Sequence, residues 1–167
     1  MKIHTLQRVQ TLDYPIDEVF EFFRSPENLS RITPPWLNFR ILTPLPLEMQ
    51  RGTLIDYTVN WLGIPVRWTT MIASYNPPHR FIDQQLVGPY SFWYHIHTFI
   101  EKSRKTEMHD EVRYVLPLGI VGEAVHTWIV RRQLDRIFDY REIAVRQQFP
   151  EREIVTKHVH SEQEEVV

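Results

Sequence analysis

The chain contains no cysteine, which excludes disulfides, thiolate nucleophiles and cysteine-ligated zinc. Glycine is scarce, five in 167 residues, and no glycine-rich phosphate loop, dinucleotide fingerprint or serine-nucleophile motif appears. No run approaches the roughly 18 apolar residues of a membrane span. The opening MKIHTLQRVQTLDYP lacks the apolar centre of a signal segment. Neither sign of charge dominates. A formal net charge of −2 argues against general electrostatic affinity for nucleic acid or anionic membranes. The expectation is a cytoplasmic protein with no membrane span and no nucleic-acid partner.

Aromatic side chains are plentiful, at 13% of the residues, within a hydrophobic fraction of 43%, enough for one sizeable core. Residues 3 to 12 are rich in strand formers. The period then turns helical: Val19, Phe20 and Phe23 share a face, Pro15 or Ile16 opens the helix and Ser25-Pro26 stops it. A second short helix is expected around Glu27 to Ile32, closed by Pro34-Pro35. From Leu37 to Pro117 strands alternate with turns. Val125, Trp128, Leu134, Ile137, Phe138 and Val145 then mark a long helix over about 120–149, ended by Pro150. Residues 1 to 149 read as one domain, and 150 to 167 as a charged, flexible tail.

This order describes an α+β protein: a curved antiparallel sheet wrapped around a long C-terminal helix, with two short helices after the first strand. A strongly curved sheet cannot touch a straight helix everywhere, so a cavity between them is expected.

Strand alternation assigns faces. A loop at LGIP pairs Trp61 with Val66, Val59 with Trp68 and Tyr57 with Thr70. A turn at KSRK pairs Phe99 with Met108, His97 with Asp110, His95 with Val112 and Trp93 with Tyr114. By the same rule Gln85 meets Ser91, Asp83 meets Trp93 and Phe81 lies beside His95. The inner face then carries Tyr57, Trp61, Trp68, Trp93, Phe99, Met108 and Tyr114 together with Asp83, Gln85, His95, His97 and Asp110. That is more polar groups than an ordinary core holds, because an unpaired buried carboxylate costs several kcal/mol.

GPYSFWYHIHTFIE (88–101) concentrates the question, since His95 and His97 point the same way. Four roles stay open. His97 with Asp110 and His95 with Asp83 make a self-satisfied network. The same groups make polar handles in an aromatic ligand cavity. His-x-His suits a shared metal, with Asp83 or Asp110 adding oxygen. A histidine tuned by a carboxylate suits acid–base catalysis. No third histidine ligand is evident, since His109 faces outward and His126 lies near the helix start. No metal and no cofactor are therefore expected. Arg141 either reaches inward, to Asp110 or an anionic ligand, or snorkels along the surface. TPPWL (33–37) is either a rim at the cavity mouth or a stiff connection.

NLSRITPPWLNFRI (28–41), GTLIDYTVNWLGIPVRWTTMI (52–72), YNPPHRFIDQQLVGPYSFWYHIHTF (75–99), MHDEVRYVLPLG (108–119) and LDRIFDYR (134–141) carry a resemblance to the START-like, or Bet v 1-like, superfamily. This is the helix-grip fold of the SRPBCC domains, and the chain is most similar to the bacterial polyketide cyclase/dehydratase-like branch. The resemblance covers residues 3 to 149. It implies a hydrophobic or amphipathic ligand between helix and sheet, with Asp83, Gln85, Trp93, His95, His97, Phe99 and Asp110 lining the cavity.

The expected function is binding of an apolar or aromatic small molecule. The ligand set is Tyr57, Trp61, Trp68, Asp83, Gln85, Trp93, His95, His97, Phe99, Asp110, Tyr114 and Arg141. One alternative is a cyclase/dehydratase-type enzyme, with His95, His97 and Asp110 as catalytic candidates. The other is a protein-interaction module with a filled core.

Overall fold

HTLQRVQTL alternates buried and exposed positions and forms the first strand, β1 (His4–Leu12). The computed structural model describes residues 2–117 and 129–151. After β1, helix α1 (Ile16–Phe23) buries Ile16, Val19, Phe20 and Phe23 on one face. Two 3-10 turns follow, Pro26–Arg31 and Pro35–Leu37, each with proline at its first position, where the missing N–H costs nothing.

The remaining strands are β2 (Arg40–Ile41), β3 (Leu54–Trp61), β4 (Ile64–Asn76), β5 (Arg80–Val87), β6 (Phe92–Lys102) and β7 (Lys105–Val115). Together with β1 they make one seven-stranded antiparallel sheet in the order β1-β7-β6-β5-β4-β3-β2. Register shifts between Thr69 and Thr70 and between Ile72 and Ser74 break the β4–β5 ladder, and such bulges bend and twist a sheet. The C-terminal helix, α2 (Arg131–Gln148), buries Leu134, Phe138, Ala144 and Val145. Residues 118–128, which include the first turns of the helix expected over about 120–149 with Val125, His126 and Trp128, lie outside the described residues, as does the tail from 152. The architecture is the helix-grip α+β fold.

The KSRK hairpin pairs as the sequence implies: Phe99↔Met108, His97↔Asp110, His95↔Val112 and Trp93↔Tyr114. Two other pairings are corrected. Trp61 faces Ile64, Val59 faces Val66 and Tyr57 faces Trp68, because the chain reverses through Leu62-Gly63 alone, both at positive φ. That is the tight hairpin turn whose twist matches its strands. Pro65 stays in β4 because β4 pairs with β5 only from Thr69 onward, so its missing N–H faces no partner strand. Likewise Asp83 faces His95, not Trp93, and Phe81 faces His97. Both corrections are shifts of two residues, so every side chain keeps its face.

Two apolar clusters fill the space between sheet and helices. One gathers Phe20, Phe81, Phe99 and Val145; the other gathers Trp68, Trp93, Tyr114, Leu134 and Phe138. Phe99, 1% exposed, meets Phe20 edge-on with ring centroids 5.4 Å apart. Burying such a side chain contributes about 1.5–3 kcal/mol.

Candidate functional site

Four polar side chains, His95, His97 and Asp110 buried and Asp83 partly so, meet where β5, β6 and β7 lie side by side. Inward positions of β6 alternate with outward ones, so His95 and His97 share the inner face, with ring centroids 3.8 Å apart. Asp83 comes from β5 opposite His95, and Asp110 from β7 opposite His97. The shortest bonds run diagonally. His95 Nε2 donates to Asp110 Oδ1 at 2.8 Å, and His97 Nε2 donates to Asp83 Oδ2 at 2.8 Å. The direct contacts close a ring: His97 Nδ1 lies 2.9 Å from Asp110 Oδ1, and His95 Nδ1 lies 3.5 Å from Asp83 Oδ2. The Nδ1 contact of His97 is close but too bent for a hydrogen bond, so that atom is buried without one.

Arg141 comes from the opposite wall. Leu134, Phe138, Arg141 and Val145 fall at spacings of four, three and four, which is one face of a helix. Its position on α2 therefore points it inward, and the surface alternative is excluded: its side chain is 11% exposed. Its guanidinium lies against Phe23 and Phe138, 5.5 Å and 6.0 Å from their ring centroids. Arg141 Nε stands 3.6 Å from Asp110 Oδ2, an ion pair beyond hydrogen-bond length, and Nε makes no hydrogen bond.

Burial by itself disfavours charge on every member of this group. For Asp110 it is outweighed by Arg141 and by the close contacts of both histidines, which hold the carboxyl well below its ordinary pKa. Burial of Asp83 is outweighed by His95 and His97, and its pKa is also lowered. The histidines diverge. Burial and the neighbouring His97 push His95 below its ordinary value. In His97 burial is overcome by contacts with Asp110 and Asp83, and its pKa is raised. Of the two imidazoles, His97 is thus the one whose surroundings favour the charged form and His95 the one whose surroundings disfavour it.

These groups border a cavity of about 200 Å³ between the sheet, α1 and α2. A single water needs only about 10–15 Å³ by the same kind of measure, so this volume is far more than a packing defect. Tyr57, Trp61, Trp68, Asp83, Trp93, His95, His97 and Arg141 line it. The polar tips of two wall residues are occupied: Trp68 Nε1 donates to Thr70 Oγ1 at 3.1 Å, and Tyr57 Oη lies 3.2 Å from the same oxygen. Trp61 Nε1 is buried without a hydrogen bond.

Four expected lining residues stand elsewhere. Gln85 donates to the Tyr90 carbonyl at 2.7 Å and so braces the turn between β5 and β6. Phe99 and Tyr114 are sealed in the two apolar clusters. Asp110 sits behind the histidines, away from the cavity wall. Conversely, Phe22, Phe23, Asn28, Ile137 and Phe138 border the cavity. In sequence, the phenylalanines of α1 show only the period of an ordinary core-facing helix. TPPWL does reach the rim: Thr33 and Leu37 line the cavity. Trp36 meets Tyr140 of α2 edge-on at 5.5 Å, with Arg136 above its ring at 5.5 Å.

Asp83, His95 and His97 each bring a ligand-type atom within 4.8 Å of the other two. Of the two carboxylates considered as an oxygen donor beside the histidines, it is Asp83 that joins them in this group.

Residues 12–138 match the profile of the family described as polyketide cyclase/dehydrase and lipid transport. No curated protein sequence matches the chain. Solved structures with the same fold include the Zhui aromatase/cyclase from Streptomyces sp. R1128, at TM-score 0.63 and 14% identity, covering 88% of this chain and 96% of that one. A protein from Thermus thermophilus aligns at TM-score 0.62 and 13% identity, over 87% of this chain and 99% of the other. The allergen-type protein Ara h 8.0201 aligns at TM-score 0.57 and 14% identity, over 87% and 99%. At these identities the likeness is one of fold. No helix among the described residues is long and apolar enough to cross a membrane.

Proposed function

The chain belongs to the polyketide cyclase/dehydrase and lipid-transport family, and from that premise we propose that it binds a ring-bearing, largely apolar small molecule between α2 and the sheet. The observation that carries this reading is the junction of an aromatic-walled cavity with one buried polar corner, Asp83, His95 and His97. Apolar walls supply affinity, and a few convergent polar groups orient the ligand. The ligand's apolar body lies along Tyr57, Trp68 and Trp93, and its hydroxyl or carbonyl end turns to the histidines. A cavity of about 200 Å³ also argues against a filled core that acts only through its surface.

A second reading, ring closure or dehydration of a polyketide-like substrate, is favoured by His95. Asp110 holds its Nε2 at 2.8 Å, and the ring lines the cavity. His95 Nδ1 is then the atom to accept a proton from carbon beside a carbonyl. The electron pair released attacks a second carbonyl, whose oxygen takes the proton back from His95. The imidazole then removes a second hydrogen from the adjacent carbon and passes it to the departing hydroxyl, which leaves as water.

The test of binding uses 2-naphthol, a fused ring with one hydroxyl, followed by the emission of the wall tryptophans. The expected result is saturable one-to-one binding that Ile137→Trp weakens at least about tenfold. Absence of saturation, or equal binding by the filled-cavity variant, overturns the reading.

A further inference from the structure

A neutral imidazole has one N–H. His95 uses its proton on Asp110, with Nε2 at 2.8 Å from Oδ1, which leaves the lone pair of Nδ1 3.5 Å from Asp83 Oδ2. His97 meets a carboxylate oxygen at both nitrogens: Asp83 at 2.8 Å from Nε2 and Asp110 at 2.9 Å from Nδ1. A nitrogen lone pair that close to a carboxylate oxygen is repulsive, so one neutral tautomer cannot serve both contacts. The charge count points the same way. Asp83 and Asp110 oppose one guanidinium, Arg141, which stands 3.6 Å from Asp110, and one negative charge remains in a buried corner. A positive centre between Asp83, His95 Nδ1 and His97 Nε2 would offset that charge.

We propose that this corner is a divalent transition-metal site, with Asp83 Oδ2, His95 Nδ1 and His97 Nε2 as ligands and Asp110 as the carboxylate that orients both imidazoles. All three ligand groups lie within 4.8 Å of one another. The Asp83 contacts, 2.8 Å and 3.5 Å, bracket the roughly 3.3 Å edge that tetrahedral bonds of 2.0–2.1 Å produce. With a metal bound, each imidazole keeps its proton on the nitrogen facing Asp110 Oδ1, hydrogen-bonded at 2.8 Å for His95 Nε2 and in a bent 2.9 Å contact for His97 Nδ1. Metal-bound histidines commonly donate their second N–H to a carboxylate in this way, and Arg141 anchors that carboxylate from α2. Two nitrogens and one oxygen suit a first-row divalent ion such as zinc. They do not suit calcium or magnesium, which prefer oxygen alone.

Three protein ligands leave coordination open, and that opening faces the cavity. The proposal goes beyond binding of an organic molecule and does not depend on it, since metal uptake is measured without one. An additional proton on His97 would supply the same positive charge without taking up an ion, and metal titration distinguishes the two.

The experiment titrates chelator-stripped full-length protein with Zn²⁺ against a chromophoric competitor, and records the visible spectrum with Co²⁺. The sequence also holds His158 and His160, outside the described residues, so the wild type is compared with Asp83→Asn and with His158→Ala/His160→Ala. The expected result is one tight Zn²⁺ equivalent and an intense, low-coordinate Co²⁺ band in the wild type and in the His158/His160 variant. Asp83→Asn should lose both, and Asp110→Asn should weaken zinc binding about 10- to 100-fold without changing its stoichiometry. If Asp83→Asn fails to fold, the Co²⁺ band and the Asp110→Asn affinity decide. The proposal is overturned by no stoichiometric uptake, by uptake lost only with His158 and His160, or by only the weak six-coordinate Co²⁺ spectrum.

Discussion

His97 Nε2 lies 2.8 Å from Asp83 Oδ2, although the two residues are not directly opposite in the ladder. Asp83 pairs with His95, and Phe81 pairs with His97 and stacks on its ring at 4.1 Å. The diagonal bond places Asp83 between the two imidazoles on their cavity side, while Asp110 holds them from behind. The site is thus two carboxylates bracketing two histidines, with Arg141 as the counter-charge from the helix.

Truncating Asp110 tests that bracket. Asp110→Ala strands a buried guanidinium and is expected to destabilise the fold by about 3–5 kcal/mol in urea denaturation. Combining Asp110→Leu with Arg141→Met should recover most of the loss, because neither member of the pair is then left without its counter-charge. A single-variant loss below about 1 kcal/mol would show that the ion pair is not a buried one.

The β3–β4 turn carries a separate prediction. Gly63 has φ +83, and an added Cβ would meet nothing within 4 Å. Gly63→Ala should still cost about 1 kcal/mol, from backbone conformation alone. Leu62, at φ 50, is the converse case: Leu62→Asn should raise the melting temperature, since asparagine tolerates positive φ. Neutral behaviour of both variants would argue for the longer LGIP loop.

Trp36 closes the rim against α2 through Tyr140 and Arg136. An aromatic pair is worth about 0.5–1.5 kcal/mol, so Trp36→Ala should speed release of bound 2-naphthol by roughly two- to tenfold in stopped-flow measurements. An unchanged release rate would assign the segment a connecting role only.

Filling the cavity separates binding from folding. Ile137 borders it and is only partly buried, so a larger ring there has space to occupy. Ile137→Trp should weaken 2-naphthol binding at least about tenfold, the equivalent of roughly 1.4 kcal/mol, with little change in melting temperature. A large fall in melting temperature would mean that the space is already filled.

The faces of the strands were legible in the sequence, and their registers only partly so. Alternation depends on a period of two, so a two-residue slip leaves every inward residue inward. The polar corner was therefore visible as a set, but which carboxylate met which histidine was not. The slip at β3–β4 arose because Leu62 is a poor residue for positive φ and Pro65 reads as a turn residue. The slip at β5–β6 set Asp83 opposite Trp93, so its short bond to His97 was not legible, although Asp83 already stood as a partner for His95 and as an oxygen donor. Arg141 was legible as a helix position, but its direction depended on packing: a lone arginine on an apolar helix face has no sequence signature separating an inward ion pair from a surface position. The cavity walls supplied by α1 were hidden for a similar reason, since cavity-lining and core-filling phenylalanines follow the same period.

The most direct measurement of the central claim is a crystal structure of the protein with 2-naphthol bound. The account predicts the fused ring between α2 and the Tyr57, Trp68 and Trp93 wall, with its hydroxyl at the Asp83–His95–His97 corner. A ligand bound on the outer face of the sheet, or one inside with its hydroxyl turned away from that corner, would contradict it.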